Sequence, residues 1–230
     1  MADRREQLLF ELPGGGRALF TTRAEGNLST GAGDDHAHGL DRRAELCGRL
    51  RLRWLCSSRQ VHGTAVHVVD EIAGTGGEPV AIDADGHATA TPGVGAMVLA
   101  ADCLPIALGR DGAVAMLHAG WRGLAAGVLE VGVSALRALG GDEQPIAAVV
   151  GPGAGVCCYE VGVEVQDVFA GAHMHGRHLD LRAIAEELLR GAGVAEVSHA
   201  DACTICDERF FSHRREGALA GRHAGIAWSS

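Results

Sequence analysis

The stretch MVLAADCLPIALGRDGAVAMLHAGWRG, Met97 to Gly123, carries three apolar runs, Met97 to Ala101, Leu104 to Leu108 and Ala113 to Leu117. They are too short for helices and are broken by Asp102, Pro105 and Arg110-Asp111-Gly112, so they read as buried strands joined by tight turns. Cys103 interrupts the first pair of runs and His118 ends the third. Behind them come Ala119-Gly120-Trp121-Arg122-Gly123 and then Leu124, Val128, Val131, Ala135 and Leu139 at spacings of three and four, the pattern of one amphipathic helix stopping near Gly140-Gly141. The unit is strand, Gly-rich turn, helix. Free backbone N–H groups at such a turn, with Arg122 beside them, suit an anion such as phosphate.

Outward from this stretch the same reading continues. Phe10 to Thr22 reads as a hairpin around Pro13 to Gly16, and Arg23 to Asp35 as an irregular loop. Asp41 to Arg53 has helical spacing. Arg59-Gln60-Val61-His62-Gly63 leads into a strand over Ala65 to Val69, and Ala81 to Gly86 reads as a short strand ending in acidic residues. Downstream, Ile146 to Val150 is the profile of a buried strand feeding Gly151-Pro152-Gly153. Asp180 is the expected N-cap of a helix whose apolar face is Leu181, Ile184, Ala185, Leu188 and Leu189. Gly225 to Trp228 reads as a closing strand. No linker, low-complexity tract or repeat divides the chain, so residues 1–230 are expected to form one domain.

With 230 residues and 47% hydrophobic content the chain can bury a full core. A net charge of −9, with no run of Lys or Arg, argues against a nucleic-acid surface. The charged start, Met1 to Gln7, offers no signal-peptide core, and no run of about 18 apolar residues suggests a membrane span. The expectation is a cytoplasmic protein. Seven cysteines, an odd number, in a chain large enough to need no staples are expected to be reduced thiols, some of them ligands. No pattern marks a dimer seam, so a monomer is expected.

His62, Cys103 and His118 each end a short strand or follow one in Gly- or Pro-containing sequence. Two imidazoles and a thiolate are the ligand set of a tetrahedral zinc that keeps a fourth position open, where a bound water becomes acidic enough to ionise at a pH of about 7. The same three residues also suit a Cys103 nucleophile with a His118 base. Three other groups carry weaker signals. His173-Met174-His175-Gly176-Arg177-His178 is a compositional tract in a polar connection. Cys203-x-x-Cys206 lacks a second CxxC, and Cys157-Cys158 reads as core or pocket margin. A redox or metal-storage protein would rest on those four cysteines alone.

The strings Gln60-Val61-His62-Gly63, Asp83-Ala84-Asp85, Ala101-Asp102-Cys103-Leu104-Pro105, His118 to Gly123, Cys157-Cys158-Tyr159-Glu160-Val161 and Phe210 to Arg215 resemble the laccase-domain family. That family was once described as multicopper polyphenol oxidases and is now described as zinc-dependent purine nucleoside phosphorylases. The match runs in order from about Asn27 to Trp228. The resemblance implies an α+β domain with mixed sheets layered between helices, and a zinc on His62, Cys103 and His118 as the catalytic centre. It also implies a substrate shell of Asn27, Arg43, Gln60, Arg122 and Arg214. The implied reactions are phosphorolysis of adenosine, inosine, guanosine and methylthioadenosine, and adenosine deamination. Purine nucleosides and phosphate are then the partners. The chain departs from the family at Arg42, where an Asn is usual, at His213, usually Tyr, and at Ala24-Glu25-Gly26, an altered turn. Two alternatives remain. One is a cysteine-dependent amidase editing peptidoglycan precursors. The other is a copper-dependent oxidase, which needs several His-rich centres where this chain has only scattered His outside the trio.

Overall fold

The three apolar runs form strands with both faces covered, the first in one sheet and the other two paired in a second, which is why they read as unbroken hydrophobic sequence. The computed structural model describes residues 8–140 and 144–229; the charged segment 1–7 and Gly141, part of the expected helix stop, lie outside them. A five-stranded sheet has the order β1 (Leu8–Glu11), β2 (Arg17–Phe20), β13 (His223–Trp228), β6 (Val94–Ala100) and β3 (Trp54–Cys56). A six-stranded sheet has the order β12 (Glu196–His199), β9 (Ala147–Val150), β7 (Leu104–Arg110), β8 (Ala113–Ala119), β5 (Gly86–Thr89) and β4 (Val66–Val69). Both are mixed, with β3–β6, β4–β5 and β9–β12 parallel and the other pairs antiparallel. A small hairpin, β10 (Met174–His175) with β11 (His178–Leu179), carries the His-rich tract.

Alternation along β8 assigns the layers. Ala113, Ala115 and Leu117 join the cluster that packs against α3 (Val128–Ala138) and α5 (Leu181–Gly191), whereas Val114 and Met116 face Phe20, Ala96, Val98 and Ala227 of the other sheet. Helix α1 (Gly39–Arg49) covers the far face of the five-stranded sheet through Leu46 and Cys47 against Leu55, Met97 and Ile226. The result is an α+β domain of two sheets between helices. Among the described residues no helix is long and apolar enough to cross a membrane.

Several local readings need correction. The single helix expected after Gly123 is two, α2 (Trp121–Ala126) and α3, broken at Gly127 with φ of 94°. The strand expected over 81–86 is irregular until Gly86, because its chain is turned by contacts to Arg59 and Ala65 rather than by a ladder. Asp180 does cap α5, accepting from the N–H groups of Arg182 and Ala183. Missing from the sequence reading are β12, α4 (Val163–Val168) and the short α6 (His213–Glu216), whose N-cap Ser212 accepts from Arg215 N–H.

Leu117 illustrates how tight the outer layer is. A Cβ at Gly132 in α3 would lie 2.3 Å from its Cδ1, and one at Gly86 would lie 2.6 Å from its Cδ2. An alanine in a helix interior normally adds about 1 kcal/mol over glycine. Here the leucine is held from both sides, so Gly132→Ala is expected to lose about 1–3 kcal/mol instead. Chemical denaturation checks this: the midpoint should fall.

Candidate active site

At one end of the two sheets, four segments converge. His118 follows Leu117 on β8 and therefore points to the face between the sheets, shared with Val114 and Met116. Cys103 lies in the turn by which the chain crosses from β6 in one sheet to β7 in the other. His62 lies in the loop between β3 and β4. The ligand atoms of His62, Cys103 and His118 all lie within 4.8 Å of one another, and the two imidazole centroids are 4.9 Å apart. The sequence trio is thus one cluster, graded from exposed His62 through half-buried Cys103 to buried His118.

Asp85, fully buried just before β5, organises the cluster. Its Oδ1 accepts from His118 Nδ1 at 2.8 Å and from His62 N–H at 2.9 Å, and its Oδ2 accepts from the N–H groups of Val61 (3.1 Å) and Gly63 (2.7 Å). The carboxylate therefore fixes the His118 ring, leaves Nε2 facing the cluster and folds the His62 loop around itself. A carboxylate behind a histidine is the usual support of a metal-binding imidazole. Burial raises the Asp85 pKa, but the His118 and backbone hydrogen bonds outweigh it and hold it below the usual carboxylate range. The sequence motif Asp83-Ala84-Asp85 gives no sign of this role, because the loop that Asp85 gathers lies more than twenty residues before it.

The turn carrying Cys103 is held just as firmly. Asp102 adopts φ of 89°, a region costly for a side-chain-bearing residue, and accepts from Thr204 Oγ1 and Arg214 N–H, both at 2.7 Å. His62 is also left-handed, at φ of 59°. Burial pushes the Cys103 thiol up, but the His118 charge and hydrogen bonds from His118 and His62 bring it well below the usual thiol range. Burial works against the His118 charge in turn, yet Cys103 and Asp85 raise its pKa. Thiolate, two imidazoles and a supporting carboxylate fit a divalent zinc with an open position.

Gly120 lets the thiol in. A Cβ there would lie 2.8 Å from Cys103 Sγ and 3.4 Å from His62 Cδ2. Since misplacing a reacting group by about 1 Å can cost roughly 100-fold in rate, Gly120→Ala is expected to lower both metal occupancy and turnover while the fold persists. Metal analysis and steady-state kinetics read the two effects separately.

A pocket of about 760 Å³ opens over the trio, lined among others by Arg43, Arg122, Tyr159, Arg214 and Arg222. Arg122 stacks on the Trp121 ring at 4.2 Å and has no hydrogen-bond or ion-pair partner among the described residues. Arg214 lies 5.2 Å from the Tyr159 ring and donates to Glu160 O. The rest of the expected shell is more structural. Arg43 lines the pocket, but its buried guanidinium donates to Leu28 O, Gly77 O and Ser57 Oγ. Gln60 lines it too, with both ends of its amide paired to the Leu99 backbone. Asn27 does not line it; its buried amide donates to Ala32 O and Asp34 O and accepts from Ser29 and Arg222 N–H, so it shapes the wall from behind. Arg222, Trp121 and Tyr159 are lining residues that the sequence reading did not single out as substrate contacts.

The weaker clusters separate. In the His-rich tract His173 pairs with Glu187, and no metal grouping includes the tract among the described residues. Cys56, His67 and His87 do lie together. Burial pushes Cys56 up to about 12 and, with His67, pulls His87 down to about 3, so Cys56 and His87 are a neutral, hydrogen-bonded pair of the core. Cys203-x-x-Cys206, expected to be without a partner, meets Cys157-Cys158.

Known proteins resemble this chain in sequence and in fold. Residues 15–230 match the family model described as multi-copper polyphenol oxidoreductase laccase. A protein of Xylella fastidiosa (strain Temecula1) named purine nucleoside phosphorylase is 39% identical over 236 residues, covering 94% of this chain and 88% of its own. The Escherichia coli protein of that name is 37% identical over 220 residues, covering 88% and 85%. Among solved structures, Neisseria meningitidis protein NMB0706 superposes with a TM-score of 0.81 at 30% identity, covering 98% of this chain and 100% of that one. YlmD from Geobacillus stearothermophilus superposes with a TM-score of 0.76 at 28% identity, covering 94% and 92%. From the match over residues 15–230, the fold and these relatives, the chain belongs to the multi-copper polyphenol oxidoreductase laccase family, whose curated relatives are named purine nucleoside phosphorylases.

Proposed function

We propose that this chain, acting as a single catalytic domain over residues 1–230 and as a cytoplasmic monomer, is a zinc-dependent purine nucleoside phosphorylase. Adenosine, inosine, guanosine and methylthioadenosine are its substrates, and it also deaminates adenosine. The observation that carries the reading is one pocket in which the trio lies beside an unpaired arginine, Arg122, and two aromatic rings, Trp121 and Tyr159. The relatives' shared name supports it.

Bound zinc would be held by His62 Nε2 or Nδ1, Cys103 Sγ and His118 Nε2, and supplies Lewis acidity and a more acidic water. The chain's own residues supply the rest. Arg122, aided by Arg222, holds phosphate against the anomeric carbon of the ribose. As the new C–O bond forms, the glycosidic C–N bond breaks and the purine leaves. The faces of Trp121 and Tyr159 hold the base. In deamination the pocket adds water at the purine carbon bearing the amino group and releases ammonia. Incubation with inosine and phosphate should yield hypoxanthine and ribose 1-phosphate on chromatography; no product above a Cys103→Ala control would reject the reading.

The lowered Cys103 thiol also suits a nucleophile with His118 as base, acting on an amide. That chemistry survives chelation and is lost on brief treatment with iodoacetamide. A zinc ligand gives the reverse, being shielded until the metal is stripped.

A further inference from the structure

We propose that Cys157, Cys158, Cys203 and Cys206 form a second, tetrathiolate zinc site that is structural and separate from the pocket. The four sulfurs all lie within 4.8 Å of one another, with Cys158 to Cys206 at 2.8 Å and Cys157 to Cys206 at 3.3 Å. Four Zn–S bonds of about 2.3 Å place tetrahedral sulfurs about 3.8 Å apart, so small side-chain adjustments complete the shell. A four-iron cluster would hold its thiolates farther apart than this around an iron–sulfide core. None of the four cysteines lines the pocket.

The convergence follows from the topology. Strands β9 and β12 are parallel, with Val150 beside His199, so their following loops leave the sheet at the same end. Gly153 N–H to Ala202 O and Thr204 N–H to Gly153 O continue the pairing and bring Cys157-Cys158 against Cys203-x-x-Cys206. The Gly155 N–H points at Cys203 Sγ at 3.2 Å, and the Cys206 and Ile205 N–H groups point at it as well, the donor pattern that supports a metal-bound thiolate. A divalent cation is what allows all four to ionise together, each thiol giving up its proton to solvent as its S–Zn bond forms.

The site would clamp two loops that build one pocket wall. Tyr159 follows Cys158 directly, and Arg214 rests on its ring and on Glu160 O. Arg215 donates to Thr204 O and Ile205 O within the CxxC loop.

Metal analysis of the full chain, purified without a His-tag under reducing conditions, tests this. Two zinc ions per chain are expected. Cys103→Ala should keep one, and Cys203→Ser with Cys206→Ser should keep the other. Cobalt loaded into the Cys103→Ala variant should show the intense thiolate charge-transfer absorption of a four-sulfur centre, a readout that does not depend on the double variant folding. A folded Cys103→Ala variant that holds no zinc and no cobalt overturns the proposal. So does iron with acid-labile sulfide at these cysteines, or an intact mass showing disulfides among them. Loss of phosphorolysis alone bears only on the pocket.

Discussion

Single replacement of His62, Cys103 or His118 by alanine is expected to remove the pocket metal and to lower phosphorolysis by more than about 100-fold. Removing a mere supporting partner of a ligand already costs about 10–100-fold. The three losses should be similar, and His62→Ala combined with His118→Ala should be no worse than either alone, because ligands of one ion act as a unit and are not additive. The fold should survive. His62 is exposed, Cys103 half-buried, and His118 lies at the strand end outside the main hydrophobic clusters. Full activity in either histidine variant, or circular dichroism showing all three unfolded, would contradict a shared open site.

Asp85→Ala should behave differently, as a loss of structure as well as of metal. The carboxylate is fully buried and satisfies three consecutive backbone N–H groups together with His118 Nδ1. Removing one partner of a buried charged network costs about 3–5 kcal/mol. For a chain of this size that is a fall in Tm of roughly 6–20 °C. Asp85→Asn preserves shape and some acceptor capacity, so its melting point should drop less. It no longer fixes the His118 tautomer as a carboxylate does, and metal affinity should still weaken about 10–100-fold. Scanning calorimetry and zinc titration separate the two variants. Equal melting of Asp85→Ala and wild type would remove Asp85 from its organising role.

The sequence by itself determined the strands from Met97 to Leu117, since runs buried on both faces stay apolar throughout. It determined the α5 cap, a local matter of Asp180 and the next two N–H groups. It also exposed the trio, because Cys and His at the ends of such runs are uncommon and stand out. The break at Gly127 escaped it, as apolar spacing passes unchanged through a residue that turns the axis. Asp85 carries no mark in sequence of the loop it gathers, which lies more than twenty residues before it. Asn27, Arg43 and Gln60 have the chemistry of substrate contacts, yet the fold gave their donors to backbone carbonyls, those of its own loop for Asn27 and those of distant segments for Arg43 and Gln60. The cysteines show the division most sharply. Cys203-x-x-Cys206 lacks a partner in any local pattern, and only the parallel pairing of β9 with β12 brings Cys157 and Cys158 to it. Spacing along the chain reports which side chains share a face, whereas the meeting of loops is set by which strands lie side by side.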